Sequence, residues 1–492
     1  MKKYIFTIAL IFSVASCQLV DVLDKSPDHQ ADLDKAITTP KAVERALVGL
    51  YYYLPGKASN VVFPTTSGSF KAGSMQRQDL VKAGNAIYYS ERTLPVLGYS
   101  DDTEWTSDYN IIKNAVFLKS ACEKIDASKF SGNRKQEILG EIAFLRAFAN
   151  FRILIRYAEF WDENSPNGIV IRDEFPTVQN SPKKRSTVKE SFDYIIGNLE
   201  VAMKDAPKYS KASLASKEAA QLLYAKVLFY RQSYAEALKV IENDLLPNLF
   251  LENSYGDVFS KANDSKEIIF TREFVGVDAQ DTERRFTAFG NSPNKNQGYW
   301  GPTQAFLDLV DNDPRKDVII SAVDSLESRG SVGYNLKSVG KLLNSSNNMP
   351  VMFLRNAEVL LMQAECLYRT GASFDSAYAP IERLRNRAGA SIEVPTNIEE
   401  METAILQEWQ IEAGFENWHE WFAMLRFSGL NEDKPNFERL LAMNKQLREA
   451  YEKEVEAGKG PEYLERIKFR RIEAIPIAEM NTNTEMEQNI GY

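Results

Sequence analysis

The chain has 492 residues, 44% of them apolar, and a formal net charge of −9. That length and apolar content are enough for a large soluble core, while the acidic balance argues against a nucleic-acid partner, which needs a basic field. Only three cysteines are present, too few for a disulfide framework in an exported protein of this size.

At the N-terminus, Lys2 and Lys3 precede an apolar run from Tyr4 to Val14, and Ala15 and Ser16 lead into Cys17. This is the layout of an export signal, and the run falls short of the roughly 20 apolar residues that a spanning helix needs. Val14-Ala15-Ser16-Cys17 resembles the bacterial lipobox, in which the signal, here residues 1–16, is cut before a cysteine that then receives lipid. Cys17 is then the lipidation site, and two or more chains, at about 0.8 kcal/mol per buried CH₂, hold a soluble domain on a membrane. The alternative, an ordinary cleaved signal, leaves a reactive free thiol in an exported protein. With Lys2 and Lys3 removed and no acid lost, the mature charge is −11.

Apolar residues recur at helical spacing over 41–54, 106–124, 134–158, 187–205, 216–247, 350–370, 376–388 and 398–426. Thr187 and Glu190 fit a capping box, and the preceding Lys183-Lys184-Arg185 reads as a solvated lead-in. Cys122 and Cys366 sit in helical patterns and read as small core residues. Residues 55–104 and 248–349 are rich in Gly, Ser, Asn, Pro and aromatics without periodicity, which predicts long loops with short strands.

Within 216–247, Ala225 and Ala237 lie twelve residues apart, with Tyr234 between them and Ile241 one turn later; Ala364, Gly371, Ala377 and Ile381 repeat the pattern loosely. Small residues at such positions let two helices approach closely, as in a tetratricopeptide pair. The expectation is a mostly α protein, a right-handed scaffold of tetratricopeptide-like helix pairs over about 41–54, 106–247 and 350–426.

Several pieces then carry a family resemblance: Cys17 followed by Leu23, Asp24 and Pro27; Trp105, Tyr109 and Asn114; Glu141, Arg146 and Ala147; Asp313, Pro314 and Arg315; Arg355, Ala357, Glu358 and Glu365; and Pro476 near the end. In this order they resemble the SusD/RagB-like surface lipoproteins of Bacteroidetes. One segment, 407–429, keeps Glu408, Glu412, Phe415 and Glu416 but departs from the family's glycine-arginine-tryptophan run. The resemblance implies one SusD-like domain over 17–492, built of four helix pairs supporting a loop-rich binding region at about 55–104 and 248–349. It further implies lipid anchoring on the outer-membrane surface, a TonB-dependent SusC-like porin as partner, and a glycan ligand, with peptides in some branches.

Enzyme chemistry finds little support. His29 and His419 are the only histidines, and neither has a second histidine at zincin spacing. Asp311-Asn312-Asp313 begins like a calcium loop, but Lys316 and Ala322 stand where glycine and a bidentate acid are needed, so a helix-capping turn is expected. No metal or cofactor is expected. Glu408, Glu412, Glu416 and Glu420 form an i, i+4 stripe at a spacing near that of retaining glycosidases, yet one stripe points one way, whereas catalytic acids flank a sugar. Pairing with arginines such as Arg355, Arg385 or Arg426 is the favoured role, and a secreted glycoside hydrolase the competing one. Glycan capture asks for aromatic faces and planar polar groups. The loops offer Tyr88, Tyr89, Arg92, Tyr99, Asp101, Asp102 and Trp105 in the first, and Arg284, Arg285, Phe286, Tyr299 and Trp300 in the second. Each aromatic has a packing alternative, and Trp105, at the start of a helical window, has the clearest one. Tyr299 and Trp300, flanked by Gly298 and Gly301, lead the set.

Overall fold

The computed structural model describes residues 37–55, 86–88, 102–177, 179–272, 300–302, 304–322, 337–339, 341, 351–417, 419–427, 445–462 and 472–490. Cys17, Tyr89, Arg92, Tyr99, Asp101, Arg284, Arg285, Phe286 and Tyr299 lie outside them.

Helix α1 (Pro40–Tyr51) starts where the Thr39 hydroxyl accepts the Ala42 amide at 3.2 Å, with proline at a position whose amide would be unpaired anyway. Strand β1 (Ala86–Tyr88) follows, then α2 (Asp102–Lys124) and α3 (Arg134–Tyr157). Helix α4 (Val188–Asp205) begins with the expected capping box: Thr187 Oγ1 accepts the Glu190 amide at 3.1 Å, and Glu190 Oε2 accepts the Thr187 amide at 2.8 Å. Next come α5 (Lys217–Tyr230) and α6 (Tyr234–Val240), which runs into a π turn over Ile241–Leu245. The second loop-rich region carries α7 (Tyr255–Lys261), β2 (Ile268–Arg272), β3 (Trp300–Pro302), α8 (Gln304–Leu309), α9 (Lys316–Ile319), β4 (Ile320–Ala322) and β5 (Lys337–Val339). The chain continues with β6 (Val351–Arg355), α10 (Ala357–Arg369), α11 (Phe374–Ala388), α12 (Ile398–Glu412), α13 (His419–Phe427), α14 (Lys445–Glu456) and α15 (Ile477–Thr482).

Helices adjacent in sequence pack on one another, α2 on α3, α3 on α4, α4 on α5, α10 on α11 and α12 on α13, which is the tetratricopeptide-like arrangement expected of a mostly α chain. Ala225, Ala237, Ile241, Ala364, Ala377 and Ile381 are all buried, and Gly371 takes φ +84 at the turn between α10 and α11. Gly140 marks the closest approach: a Cβ there would lie 2.6 Å from the Ala206 Cα at the end of α4. Cys122 and Cys366 are free and buried, as expected. A large core joins the helices to β2 and β6, and a smaller one gathers Tyr255, Phe259, Phe306, Ile319 and Phe415 beneath the short elements of the second loop region.

Three expectations need correction. Residues 351–355 are strand, not helix: every residue of β6 is buried, and it pairs antiparallel with β2, so both faces are apolar and no alternation shows. The 398–426 window is two helices, broken by Phe415 at φ 61 and Asn417 at φ 48. The four glutamates therefore do not share one stripe; Glu416 lies in the turn and Glu420 on α13. Arg185 is no solvated lead-in: it donates to the carbonyls of Gly168 at 2.8 Å and Tyr157 at 2.7 Å, and to Asn489 Oδ1 at 2.6 Å, holding the C-terminal segment.

Candidate functional site

The acids of α12 meet a set of buried arginines. Glu408 pairs with Arg315 and, at 3.2 Å, with Arg385. Glu412 takes Arg355 at 2.8 Å, Arg387 at 2.5 Å and Arg315 at 3.1 Å. Glu416 takes Arg355 at 3.0 Å and Lys341 at 2.7 Å. Glu267, just before β2, closes the network on Arg355 at 2.6 Å and Arg387 at 2.9 Å, and Asp313 holds Arg315 at 2.8 Å. Five acids are matched by five bases, which is how charges survive burial. Burial alone would push Glu412 up, but Arg387, Arg355 and Arg315 hold it well below the usual carboxylate range; Glu416 is likewise held down against burial by Arg355 and Lys341. Pairing with Arg355 and Arg385 is thus as expected, while Arg426 serves Glu365 instead, at 2.9 Å. Asp313 accepts the Arg315 amide and guanidinium rather than capping a helix, and Arg315 itself stands at the N-cap of α9.

Glu420 differs from the other three. It is fully buried without an ion pair among the described residues, and burial pushes its pKa up to about 8. Its neighbour His419 stacks on Trp409 and sits 3.5 Å from Glu358, which also binds Lys226 at 2.7 Å; burial lowers the His419 pKa. Among the described residues no group of three or more possible metal ligands occurs.

Two concavities of the helical body differ from an aromatic glycan site. A cavity of about 20 Å³ bounded by Glu104, Arg152, Lys226, Phe353 and Asn417 has room for about one water. An open groove between α11 and α12 is polar, and its one ring, Tyr378, is buried and accepts the Glu393 amide. Trp105 is also withdrawn from solvent, 6% exposed, 4.7 Å from Tyr109 and edge-on to Tyr157 at 4.8 Å. Its packing alternative is the one observed.

Arg272, closing β2, donates to the Leu54 carbonyl just after α1, so the end of β2 lies against the end of the α1 segment. Strands β1 and β3 then pair antiparallel in the register Ala86 with Pro302, Ile87 with Gly301 and Tyr88 with Trp300. Two candidates named from separate loops are therefore directly opposed. Arg315, Lys341, Arg387 and Glu267 were the functional-scale residues that sequence patterning did not single out for this role; basic residues set among apolar ones in 313–319 and 381–388 were the available signal.

Two family models match the chain. One, described as starch-binding associating with outer membrane, covers residues 21–229, and the SusD family model covers residues 331–492. The chain belongs to the SusD family. A SusD-like protein of Bacteroides ovatus is 22% identical over 477 residues, spanning 87% of this chain and 83% of that one. A SusD-like protein of Formosa agariphila is 24% identical over 68% of this chain and 74% of its own length. Among solved structures, a SusD superfamily protein from Bacteroides thetaiotaomicron superposes with a TM-score of 0.69 at 16% identity, over 92% of this chain and 99% of that chain. A laminarin-binding SusD-like protein superposes at 0.66 with 16% identity, over 92% and 100% of the two chains. At these identities the superpositions speak to the SusD fold.

Proposed function

We propose that this SusD-family chain captures glycan at the cell surface and delivers it to a TonB-dependent SusC-like porin, held on the outer membrane by lipid on Cys17. The observation that carries the glycan reading is the β1–β3 register, which sets Tyr88 opposite Trp300. Directly opposed residues of an antiparallel pair share one face of the ribbon within about 5 Å, and aromatic residues are the type that covers the C–H face of a sugar. Tyr89, Arg92, Tyr99, Asp101, Arg284 and Tyr299, on the same loops, are proposed to complete the site with ring faces and hydroxyl-binding groups. The family description names starch binding and the outer membrane, and a structural neighbour is named for laminarin binding; both support this class of ligand.

Binding rather than hydrolysis is favoured by the engagement of Glu408, Glu412 and Glu416 with buried cations. A glycosidase pair has to face substrate from both sides of a bond. The test is a soluble form lacking residues 1–17, applied to a glycan array and then titrated with soluble starch and laminarin while products are assayed. Saturable binding without turnover supports the proposal. Binding to no glycan, or turnover that disappears in Glu412→Gln, overturns it.

A further inference from the structure

Acids of α12 and of the turn that follows it hold both roots of the β4–β5 ribbon. Arg315 lies five residues before β4, fully buried, with its guanidinium on Asp313, Glu408 and Glu412. Lys341 lies two residues beyond β5 and is 1% exposed; its Nζ donates to Glu416 Oε1 at 2.7 Å and to Tyr255 Oη at 3.1 Å, with the Phe259 ring 5.3 Å away. Between these anchors the ribbon pairs Ile320 with Val339, Ser321 with Ser338 and Ala322 with Lys337. Strand β5 packs on β3, and β3 pairs with β1.

We infer that Lys341 is a positioning residue for the ligand platform: together with Arg315 it tethers the β4–β5 ribbon that backs β3, and so maintains Trp300 opposite Tyr88. A two-stranded ribbon of three pairs has little stability of its own, and fixing both of its ends removes much of the chain entropy that would otherwise open it. Lys341 suits the task because its buried ammonium is caged by Glu416, Tyr255 and Phe259. Removing it does not strand an acid, since Arg355 still donates to both Glu416 oxygens at 3.0 and 3.2 Å. The inference rests on the glycan-binding reading of β1 and β3, but its tether can be measured without any ligand.

The test compares Lys341→Met with Lys226→Met. Lys226 is a similarly buried lysine on Glu358 at 2.7 Å, inside the helical body and on neither end of the β4–β5 ribbon. Hydrogen exchange of the amides of Trp300, Gly301 and residues 337–339 should quicken about tenfold or more in Lys341→Met and stay at the wild-type rate in Lys226→Met. For whichever of soluble starch and laminarin the wild type binds, Kd should rise about tenfold in the first variant only, equivalent to about 1.4 kcal/mol. Wild-type exchange at Trp300 and Gly301 in Lys341→Met, or equal quickening in both variants, overturns the inference. A wild type that binds neither glycan counts against the binding reading, and the exchange result still decides the tether. If Lys341→Met does not fold, Lys341→Gln, whose shorter neutral side chain breaks the ion pair with Glu416, carries the same measurements.

Discussion

Arg355 and Glu412 are joined twice: Nη1 donates to Glu412 Oε1 at 2.8 Å and Nη2 to the Glu412 carbonyl at 2.7 Å. The second bond takes one of the last carbonyls of α12, which have no partner within the helix. With Nε on Glu416 at 3.0 Å, one guanidinium from the end of β6 spans the break between α12 and the turn. Glu412→Gln keeps this volume but removes the charge that Arg355, Arg387 and Arg315 share. A loss of about 3–5 kcal/mol is expected, the usual result of leaving buried charge unpaired. Denaturant unfolding measures it; a loss below about 1 kcal/mol would mean that the network is dispensable.

Glu420 gives a pH dependence of opposite sign to that of its neighbours. Its folded pKa of about 8 lies above the ordinary 4.5, because burial outweighs the backbone amides of Glu420 and Phe415 and the nearby Lys341 charge, and Glu416 adds to the rise. Between these values the folded protein keeps a proton that the unfolded chain releases, so stability falls as pH climbs from about 4.5 to 8. Glu420→Gln should remove that fall and stabilise the protein at pH 7 by up to about 3 kcal/mol. Melting temperatures of both proteins across pH 5–8 check this; parallel curves would show Glu420 to be ionised in the folded state.

Gly140→Ala is expected to destabilise by about 1–3 kcal/mol, the range for overpacking. The new methyl group meets backbone atoms of Asp205 and Ala206, which cannot rotate away as a side chain could. A melting temperature unchanged from wild type would show that α3 and α4 can part at no cost.

Much of the helical body was legible because its causes are local. Alanines at tetratricopeptide spacing, a capping hydroxyl three residues from a glutamate, and apolar periodicity over 134–158 each act within one helix or one pair of helices adjacent in sequence. What escaped has long-range causes. The break after Glu412 is held by Arg355 from β6 and by Asn417 Nδ2 on the Phe353 carbonyl at 2.9 Å, and Arg185 is claimed by carbonyls and an asparagine from three segments. The candidate site is similar: composition marked Tyr88 and Trp300 as loop aromatics, but nothing near either residue encodes that their strands pair.

Cys17→Ala should leave folding unchanged and release the protein from membranes. No helix among the described residues is long and apolar enough to cross a bilayer, and Cys17 is the one lipidation candidate in the sequence. Fractionation of expressing cells checks this, and a variant that still sediments with membranes would remove the lipid-anchor proposal.

Trp300→Ala tests the platform itself. If Tyr88 and Trp300 together receive sugar, truncation removes the stacking area along with the 0.5 to 1.5 kcal/mol, roughly, that an aromatic pair adds beyond burial. An affinity loss of one to two orders of magnitude follows, at about 1.4 kcal/mol per tenfold, with the melting temperature nearly unchanged. A buried packing residue would do the reverse, costing about 3–5 kcal/mol of stability on truncation to alanine. Because Tyr88 is the register partner of Trp300, the double variant Tyr88→Ala with Trp300→Ala should lose less than the sum of the two single losses if both meet one sugar, since residues that share a partner are coupled. Titration and thermal melting on all four proteins separate the cases. Strictly additive affinity losses would show that the two residues meet ligand independently, and a lowered melting temperature with unchanged affinity would move the platform to Tyr89, Tyr99 and Tyr299.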